Sequence, residues 1–181
     1  MRHIFHRFTL QQALPHNHQA PRGRSAAVLV GLYRHQHQWQ VLLTQRALHL
    51  RHHKGQISFP GGKVEPTDPS LVHTALRETQ EEVGLTSEFI NVLGTLPTFH
   101  TGSGFTITPI LAKLQPGFNL TADPNEVKDI FFMPLNQIKQ KQHCQVTLAN
   151  KPHDLVFIRY QQRLIWGATA AILDNLYRHL S

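Results

Sequence analysis

The sequence has a single cysteine and no long apolar run. Cys144 has no partner for an intramolecular disulfide, which fits a reducing compartment. The longest apolar run, near residues 26–32, is far too short to cross a bilayer. The first residues, Met-Arg-His-Ile-Phe-His-Arg, do not form the continuous apolar segment of a signal peptide. We therefore expect a cytoplasmic protein with no membrane segment.

Acidic residues are also scarce, since 11 Asp and Glu stand against 18 Lys and Arg, for a formal net charge of +7. Such an excess suggests a polyanionic partner, either nucleic acid or a small phosphorylated metabolite. The basic residues are scattered, with a modest concentration at Arg46, Arg51 and Lys54, and they form no stripe interleaved with aromatic residues. A small phosphate compound is therefore favoured over nucleic acid. The 14 histidines show no zinc-ligand spacing.

The 181 residues, 40% of them hydrophobic and 16% charged, suit one globular domain. We expect an N-terminal helix and connector over residues 1–24, with the helix at 3–14, and a single domain over residues 25–181. Apolar runs between turn residues predict strands at 25–33, 38–46, 89–96, 105–114, 127–133, 145–148 and 155–160. A last helix is predicted at 165–180. This order predicts an α/β fold in which a mixed sheet packs between helices.

The few acidic residues concentrate in one segment. Glu78, Glu81 and Glu82 lie within little more than one helical turn, where like charges oppose helix formation by roughly 0.2–0.5 kcal/mol per pair. A bound cation would remove that repulsion, and ligands that are all oxygen favour Mg²⁺ or Mn²⁺. The alternative is an ordinary solvated acidic face.

Capping residues delimit the helix that carries these glutamates. Asp68 is a good N-cap, Pro69 suits the first helical position, and Gly84 follows the last turn, where a left-handed residue is common. Residues at helical spacing predict a face toward the core; they are Val72, Ala75, Leu76, Thr79 and Val83.

The loop before this helix, together with its second half, resembles the Nudix box of nucleoside-diphosphate-linked-moiety hydrolases. That pattern reads Gly-x5-Glu-x7-Arg-Glu-U-x-Glu-Glu-x-Gly-U, where U is a bulky apolar residue. Here it runs from Gly62 to Leu85. Asp68 stands in place of the first Glu, eight residues instead of seven precede Arg77, and Thr79 is a weak U.

A second motif lies upstream. It reads Leu42-Leu43-Thr44-x-Arg46-Ala47-x3-Arg51-x3-Gly55-x3-Phe59-Pro60-Gly61-Gly62. This run resembles the motif of the coenzyme A pyrophosphatase branch of the same family, where the Asp and the extra residue in the box are also expected. Trp166-Gly167-x-Thr169-Ala170 is similar to the final helix of that branch. The resemblance implies a Nudix-type α/β/α sandwich with a mixed β-sheet.

The resemblance also implies a reaction and its metal ligands. The expected activity is Mg²⁺- or Mn²⁺-dependent hydrolysis of the diphosphate in coenzyme A or its derivatives, giving 3′,5′-ADP and 4′-phosphopantetheine or its acyl form. Glu78 and Glu82 are the expected principal ligands, and Glu81 joins them directly or through water. Gly62 belongs to this set because paired glycines let the backbone approach a metal or a phosphate.

Further roles follow for the residues around the metal. Glu81 is the candidate that orients or deprotonates the attacking water, with Glu126 as the second candidate, and Arg77 is expected to orient a glutamate. Arg46, Arg51 and Gly61 are the expected substrate-binding residues, since planar guanidinium groups suit phosphate contacts.

Several alternatives stay open at this stage. A Nudix hydrolase with another nucleoside diphosphate derivative or a nucleoside triphosphate as substrate is one, and a catalytically silent nucleotide-binding regulator is another. Gly61-Gly62-Lys63 is not a P-loop, because Val64 stands where Ser or Thr would meet Mg²⁺. The glycine-rich residues 101–104 predict a hairpin loop. The sequence leaves the subunit count open between monomer and homodimer.

Overall fold

The computed structural model describes residues 24–148 and 151–180. The predicted helix at 3–14 and most of the connector after it lie outside the described residues. The strands are β1 (Arg24–His35), β2 (Gln38–Arg46), β3 (Ile57–Ser58), β4 (Gly61–Lys63), β5 (Ile90–Thr95), β6 (Phe99–His100), β7 (Phe105–Leu114), β8 (Val127–Pro134), β9 (Gln142–Leu148), β10 (Lys151–Tyr160) and β11 (Arg163–Trp166). The helices are α1 (Leu71–Val83) and α2 (Gly167–Leu180), and short 3₁₀ helices cover Ser87–Phe89 and Leu135–Gln140.

The main sheet is mixed and runs in the order β3-β2-β1-β7-β5, with β8 paired to β2 and β6 paired to β7. Strands β1 and β7 are parallel, whereas the other pairs are antiparallel. Strand β1 is long enough to pair with two strands besides β7. Its residues 26–28 pair with β4, and its residues 32–35 pair with β2. This division places the two glycines of β4 beside the first half of β1.

Strand β2 is buried on both faces. Leu42 packs with Val83 and Leu85 on the α1 side, whereas Val41 and Leu43 belong to the core shared with β10, β11 and α2. Strands β11, β10 and β9 form a small second sheet on that side. The predicted α/β fold with a mixed sheet between helical layers is therefore confirmed, with a hairpin sheet added beside α2.

Strands β9 and β10 begin earlier than predicted, at Gln142 and Lys151 and not at residues 145 and 155, and two predicted helix starts are wrong. Asp68 does not cap α1, because the Oγ of Ser70 accepts the N–H of His73 at 3.1 Å and the helix begins at Leu71. The last helix begins at Gly167 and not at residue 165, because residues 163–166 extend as β11 and pair with β10. Ile165 is fully buried in that strand. A residue buried by strand pairing looks the same in sequence as one buried on a helix face.

Other local predictions are confirmed. Gly84 ends α1 in the left-handed conformation, with φ of 70°, and its N–H donates to the carbonyl of Gln80. Residues 101–104 form the turn between β6 and β7, where the N–H of Gly104 donates to the carbonyl of Thr101 at 3.1 Å. No helix in the described part of the chain is long and apolar enough to cross a membrane.

Candidate metal and phosphate site

The two glycines of β4 lie against the second half of α1. The N–H of Gly61 donates to Oε2 of Glu82 at 3.2 Å. A Cβ atom on Gly62 would lie 2.4 Å from the carboxylate of Glu78, closer than real Cβ contacts allow. A Cβ on Gly61 would lie 2.4 Å from the carbonyl oxygen of Ala27. Only glycine therefore permits β4 to approach both glutamates, which lie one helical turn apart.

Glu82 is a buried carboxylate, with only 4% of its surface exposed. Burial raises the pKa of Glu82 to about 8, against the opposing effects of the Gly61 N–H and the Arg46 guanidinium, and the charges of Glu126 and Glu78 raise it further. Burial likewise raises the pKa of Glu78, although Arg77 opposes that shift. The site thus holds two desolvated carboxylates that repel each other, and a cation between them would relieve that repulsion.

Arg77 connects the carboxylates of the box. Its guanidinium donates to Oδ1 and Oδ2 of Asp68, both at 3.1 Å, and to the carbonyl of Lys63 at 3.2 Å. It also contacts Oε1 of Glu78 at 3.0 Å and Oε2 of Glu81 at 2.9 Å. Arg77 thus contacts both glutamates, and its role of orienting one of them stays a prediction.

Asp68 is the residue of this cluster whose contacts the sequence prediction missed. Its side chain has no exposed area, and its carboxylate also accepts the N–H of Glu65 at 2.9 Å, the hydroxyl of Thr74 at 2.9 Å and a hydrogen bond from His73 at 3.0 Å. The Arg77 guanidinium holds the pKa of Asp68 well below its usual range. Asp68 therefore holds the guanidinium of Arg77, which also contacts Glu78 and Glu81. Its place in the box, where Glu is usual, was the available signal.

Glu81 points away from Glu82 and toward solvent. Its side chain is 57% exposed and forms an i,i+4 ion pair with Arg77. A depression of about 570 Å³ opens on this outer side of α1, bordered by His73, Arg77, Glu81 and Ser87. Glu81 can therefore meet solvent without leaving Arg77.

Glu126 lies in the loop between β7 and β8, which is hydrogen-bonded to the end of α1 and to the residue after β2. The N–H of Asp123 donates to the carbonyl of Glu82 at 3.0 Å, and the N–H of Ala47 donates to the carbonyl of Glu126 at 2.8 Å. The carboxylate of Glu126 is close enough to raise the pKa of both Glu78 and Glu82. The structure thus brings Glu126 to the carboxylate cluster.

The two predicted phosphate-binding arginines lie in different environments. Nη1 of Arg46 lies 3.9 Å from Oε1 of Glu82, and the Nε of Arg46 is buried without a hydrogen-bond partner among the described residues. Arg51 is exposed on the loop between β2 and β3. The structure therefore brings Arg46 to the carboxylates, whereas it leaves Arg51 on the surface of the adjoining loop.

Comparison with known proteins agrees with this geometry. The family model of the NUDIX domain matches residues 22–151. The chain belongs to the Nudix family. It is 39% identical over 173 residues to "Uncharacterized Nudix hydrolase NudL" of Photorhabdus laumondii, covering 94% of this chain and 92% of that protein. The protein of the same name from Salmonella newport is 39% identical over 179 residues, covering 97% and 92%.

Solved Nudix structures share the fold. A MutT/nudix family protein from Enterococcus faecalis has a TM-score of 0.60 at 19% identity, covering 97% of this chain and 68% of that one. The MutT protein of Methanosarcina mazei has a TM-score of 0.55 at 19% identity, covering 88% and 96%. The family and its Nudix-named relatives make this chain a hydrolase of the pyrophosphatase type.

Nudix hydrolases generally use divalent metal ions, and the residues present fit one. The donors around Gly61 and Gly62 are carboxylate and backbone oxygens, which hard cations prefer. Within the described ranges, no three His, Cys, Asp or Glu side chains already form a metal-binding group. The contacts of Arg77 with Glu78 and Glu81 account for this, because they hold those two carboxylates toward the guanidinium. The chemistry and burial of the donors therefore support a site for a divalent cation.

Proposed function

We propose that this Nudix hydrolase cleaves the diphosphate bond of coenzyme A and its thioesters. Water adds across the P–O–P bond, and the products are 3′,5′-ADP and 4′-phosphopantetheine or its acyl form. The observation that carries the proposal is the contact between two separate motifs. Arg46, from the motif typical of coenzyme A pyrophosphatases, lies 3.9 Å from Glu82 of the Nudix box.

In this proposal Glu78, Glu82 and the backbone of Gly62 hold Mg²⁺ or Mn²⁺. A bound ion would neutralise diphosphate charge and lower the pKa of a coordinated water. Arg46 and the N–H groups of the glycine loop contact the phosphates. The buried Nε of Arg46, which has no partner in the described part of the chain, is a donor that a phosphate oxygen would satisfy.

Arg77 and Asp68 act as positioning residues in this scheme. Five donors converge on the Asp68 carboxylate and hold it still. The guanidinium of Arg77 is therefore fixed where it contacts Glu78 and Glu81. Such support shells keep reactive groups within a narrow range of geometry.

Glu81 is the residue that we propose to orient or deprotonate the attacking water. Its carboxylate is 57% exposed, so it can reach a water molecule while it keeps its ion pair with Arg77. Glu126 is the second candidate, because it acts electrostatically on both Glu78 and Glu82. Glu81→Gln and Glu126→Gln discriminate between them. The variant of the water-activating residue should lose kcat by at least about 100-fold while it still binds metal.

The substrate is tested by incubating the purified protein with Mg²⁺ or Mn²⁺ and coenzyme A, followed by mass spectrometry of the products. ADP-ribose, diadenosine tetraphosphate and nucleoside triphosphates complete the panel. Solved structures of similar fold include the Ap4A hydrolase of Caenorhabditis elegans and a Nudix domain of Shewanella oneidensis NrtR complexed with ADP ribose. No turnover of coenzyme A, with rapid cleavage of another member of the panel, would refute the substrate assignment.

The metal site is tested with Glu82→Gln. We expect this variant to keep its fold and lose activity, because it loses a negative ligand at the centre of the site. Glu88→Gln is the matched control, since Glu88 is exposed and its carboxylate accepts a hydrogen bond from the Thr86 hydroxyl. Wild-type rates in Glu82→Gln would remove Glu82 from the metal site.

A further inference from the structure

The large apolar side chains that are exposed in the described part of the chain gather around one loop. They are Leu48, Leu164 and Trp166, exposed by 57%, 45% and 46%. Leu164 and Trp166 line an open pocket of about 390 Å³, and Lys54 and Gly55 of the loop between β2 and β3 border it. Leu48 lies against the same loop, with its Cδ2 3.0 Å from where a Cβ on Gly55 would lie. Single exposed apolar residues are ordinary, but a group of them around one pocket suggests a ligand.

The fold holds the walls of this pocket firmly. Leu164 and Trp166 lie on the same face of β11, because side chains alternate along a strand, and Ile165 between them is fully buried. The hydroxyl of Thr169, at the start of α2, donates to the carbonyl of Ile57 at 3.0 Å and joins β11 to β3. The exposed indole is thus presented by a rigid hairpin.

The polar groups of the pocket suit a nucleobase that carries a phosphate. Gln45, Gln56 and Gln162 bring amide groups to its wall, and amides can both donate to and accept from a base edge. Arg163 forms an ion pair with Asp129, and its guanidinium carbon lies 4.3 Å from the centre of the Phe131 ring. Arg163 is therefore part of the pocket wall and is not the group proposed to bind phosphate. Lys54 is exposed beside the pocket. An indole face, amides and an ammonium group together complement a base and a phosphate.

The pocket and the carboxylate site meet the same end of β2 from opposite faces of the sheet. Gln45 lines the pocket, whereas Arg46, the next residue, turns its side chain to Glu82 on the other face. Consecutive Cα atoms are about 3.8 Å apart. The loop is bonded to the same residue, because the N–H of Arg46 donates to the Gln56 carbonyl at 2.9 Å and the Gly55 N–H donates to the Arg46 carbonyl at 3.2 Å.

We propose that this pocket, defined by Leu164, Trp166, Lys54 and the glutamines beside them, binds the nucleoside 3′-phosphate end of the substrate. Trp166 stacks on the base and Lys54 meets the 3′-phosphate, while the diphosphate lies at Arg46. The identity of the substrate rests on the proposed function. The pocket's preference for a phosphorylated nucleoside can be measured without any turnover.

The direct test is a binding experiment with adenosine 3′,5′-bisphosphate in EDTA. The protein has two tryptophans, so Trp39→Phe leaves Trp166 as the only indole. We expect the bisphosphate to quench its fluorescence, and Lys54→Met to weaken binding about 10-fold. Adenosine 5′-monophosphate, which lacks the 3′-phosphate, should bind equally well to Trp39→Phe and to the same protein with Lys54→Met added. Absence of quenching, or equal bisphosphate affinity in the two proteins, would overturn the proposal. If Trp39→Phe does not fold, calorimetry on the wild type and Trp166→Ala gives the same comparison.

Kinetics with wild type, Trp166→Ala and Lys54→Met separate the possible occupants. We expect Trp166→Ala to raise KM by the same factor for coenzyme A and for its thioesters of every chain length, with kcat little changed. Lys54→Met should raise KM for coenzyme A and leave 3′-dephospho-coenzyme A unaffected. A penalty that grows with acyl length would show that the pocket holds the thioester arm. A dimer that Trp166→Ala dissociates, with bisphosphate binding unchanged, would show a contact between two copies of the chain. Either result overturns the assignment.

These experiments also separate the two proposals. If the wild type binds adenosine 3′,5′-bisphosphate through Trp166 but does not cleave coenzyme A, the proposed function fails and the pocket assignment stands. If coenzyme A is cleaved and both variants behave as wild type, the pocket assignment fails and the proposed function stands.

Discussion

Replacing Glu82 with glutamine should stabilise the metal-free protein at neutral and alkaline pH. Glu82 is buried, and its pKa rises from an ordinary 4.5 to about 8 in the folded protein. The folded state therefore holds a proton that the unfolded state releases. Its contribution to stability is present in full below about pH 4.5 and is lost as the pH rises toward and through about 8. Glutamine has the same shape and carries no charge, so the variant avoids this loss.

The expected size follows from linkage. One pKa unit corresponds to about 1.4 kcal/mol. The stability lost because the unfolded state releases the Glu82 proton more readily than the folded state should be about 1 kcal/mol at pH 5, about 3 kcal/mol at pH 7 and about 5 kcal/mol at pH 9. Relaxation around the buried charge and entry of water reduce these values. The advantage of Glu82→Gln should still grow by at least about 2 kcal/mol between pH 5 and pH 9.

The assay is urea unfolding of the wild type and the variant in EDTA at several pH values, with Glu88→Gln as the control. Titrating groups that do not interact with Glu82 cancel in the difference between the proteins. Added Mn²⁺ should reverse the order, because an ion that binds only the folded wild type stabilises it by mass action. A variant whose stability stays parallel to that of the wild type from pH 5 to pH 9, or falls below it in EDTA, would refute this reasoning.

Three further outcomes test other parts of the site. Gly62→Ala should abolish Mn²⁺ binding in calorimetry, because its methyl would lie 2.4 Å from the Glu78 carboxylate. The control Gly102→Ala should bind Mn²⁺ normally, because no atom lies within 4 Å of its Cβ. Equal Mn²⁺ affinities in the two variants would contradict the requirement for glycine beside Glu78. Asp68→Asn should lower the free energy of unfolding by about 3 kcal/mol in urea at pH 7. Because the folded state lowers the pKa of Asp68, the difference from wild type should shrink as the pH falls toward 2. An undiminished difference at pH 2 would argue against the ion pair between Asp68 and Arg77. Arg46→Met should lower kcat/KM for coenzyme A about 10- to 100-fold, and Arg46→Lys should restore only part of it, since lysine lacks the planar fork; full activity in Arg46→Lys would contradict a bidentate phosphate contact.

Local features of this site could be read from the sequence because they depend on short spacings. Glu78 and Glu82 lie one helical turn apart in any helix, and Gly84 ends that helix as its position predicts. Strands β2 and β7 were predicted with the observed bounds, since their apolar runs end at turn residues. The family resemblance extends such local patterns, and the comparisons confirm it at the level of the Nudix family.

Contacts between distant segments required the tertiary structure. Asp68 reads in sequence as a helix cap, yet the fold turns it inward to hold Arg77. The approach of Arg46 to Glu82 joins residues 36 positions apart. The second half of β11, residues 165 and 166, was predicted as helix, because a short apolar run does not reveal whether it is buried by strand pairing or by helix packing. Side chains that act together within one helix or strand can be predicted from their spacing in the sequence. Contacts between residues of different elements depend on how those elements pack, so only the tertiary structure reveals them.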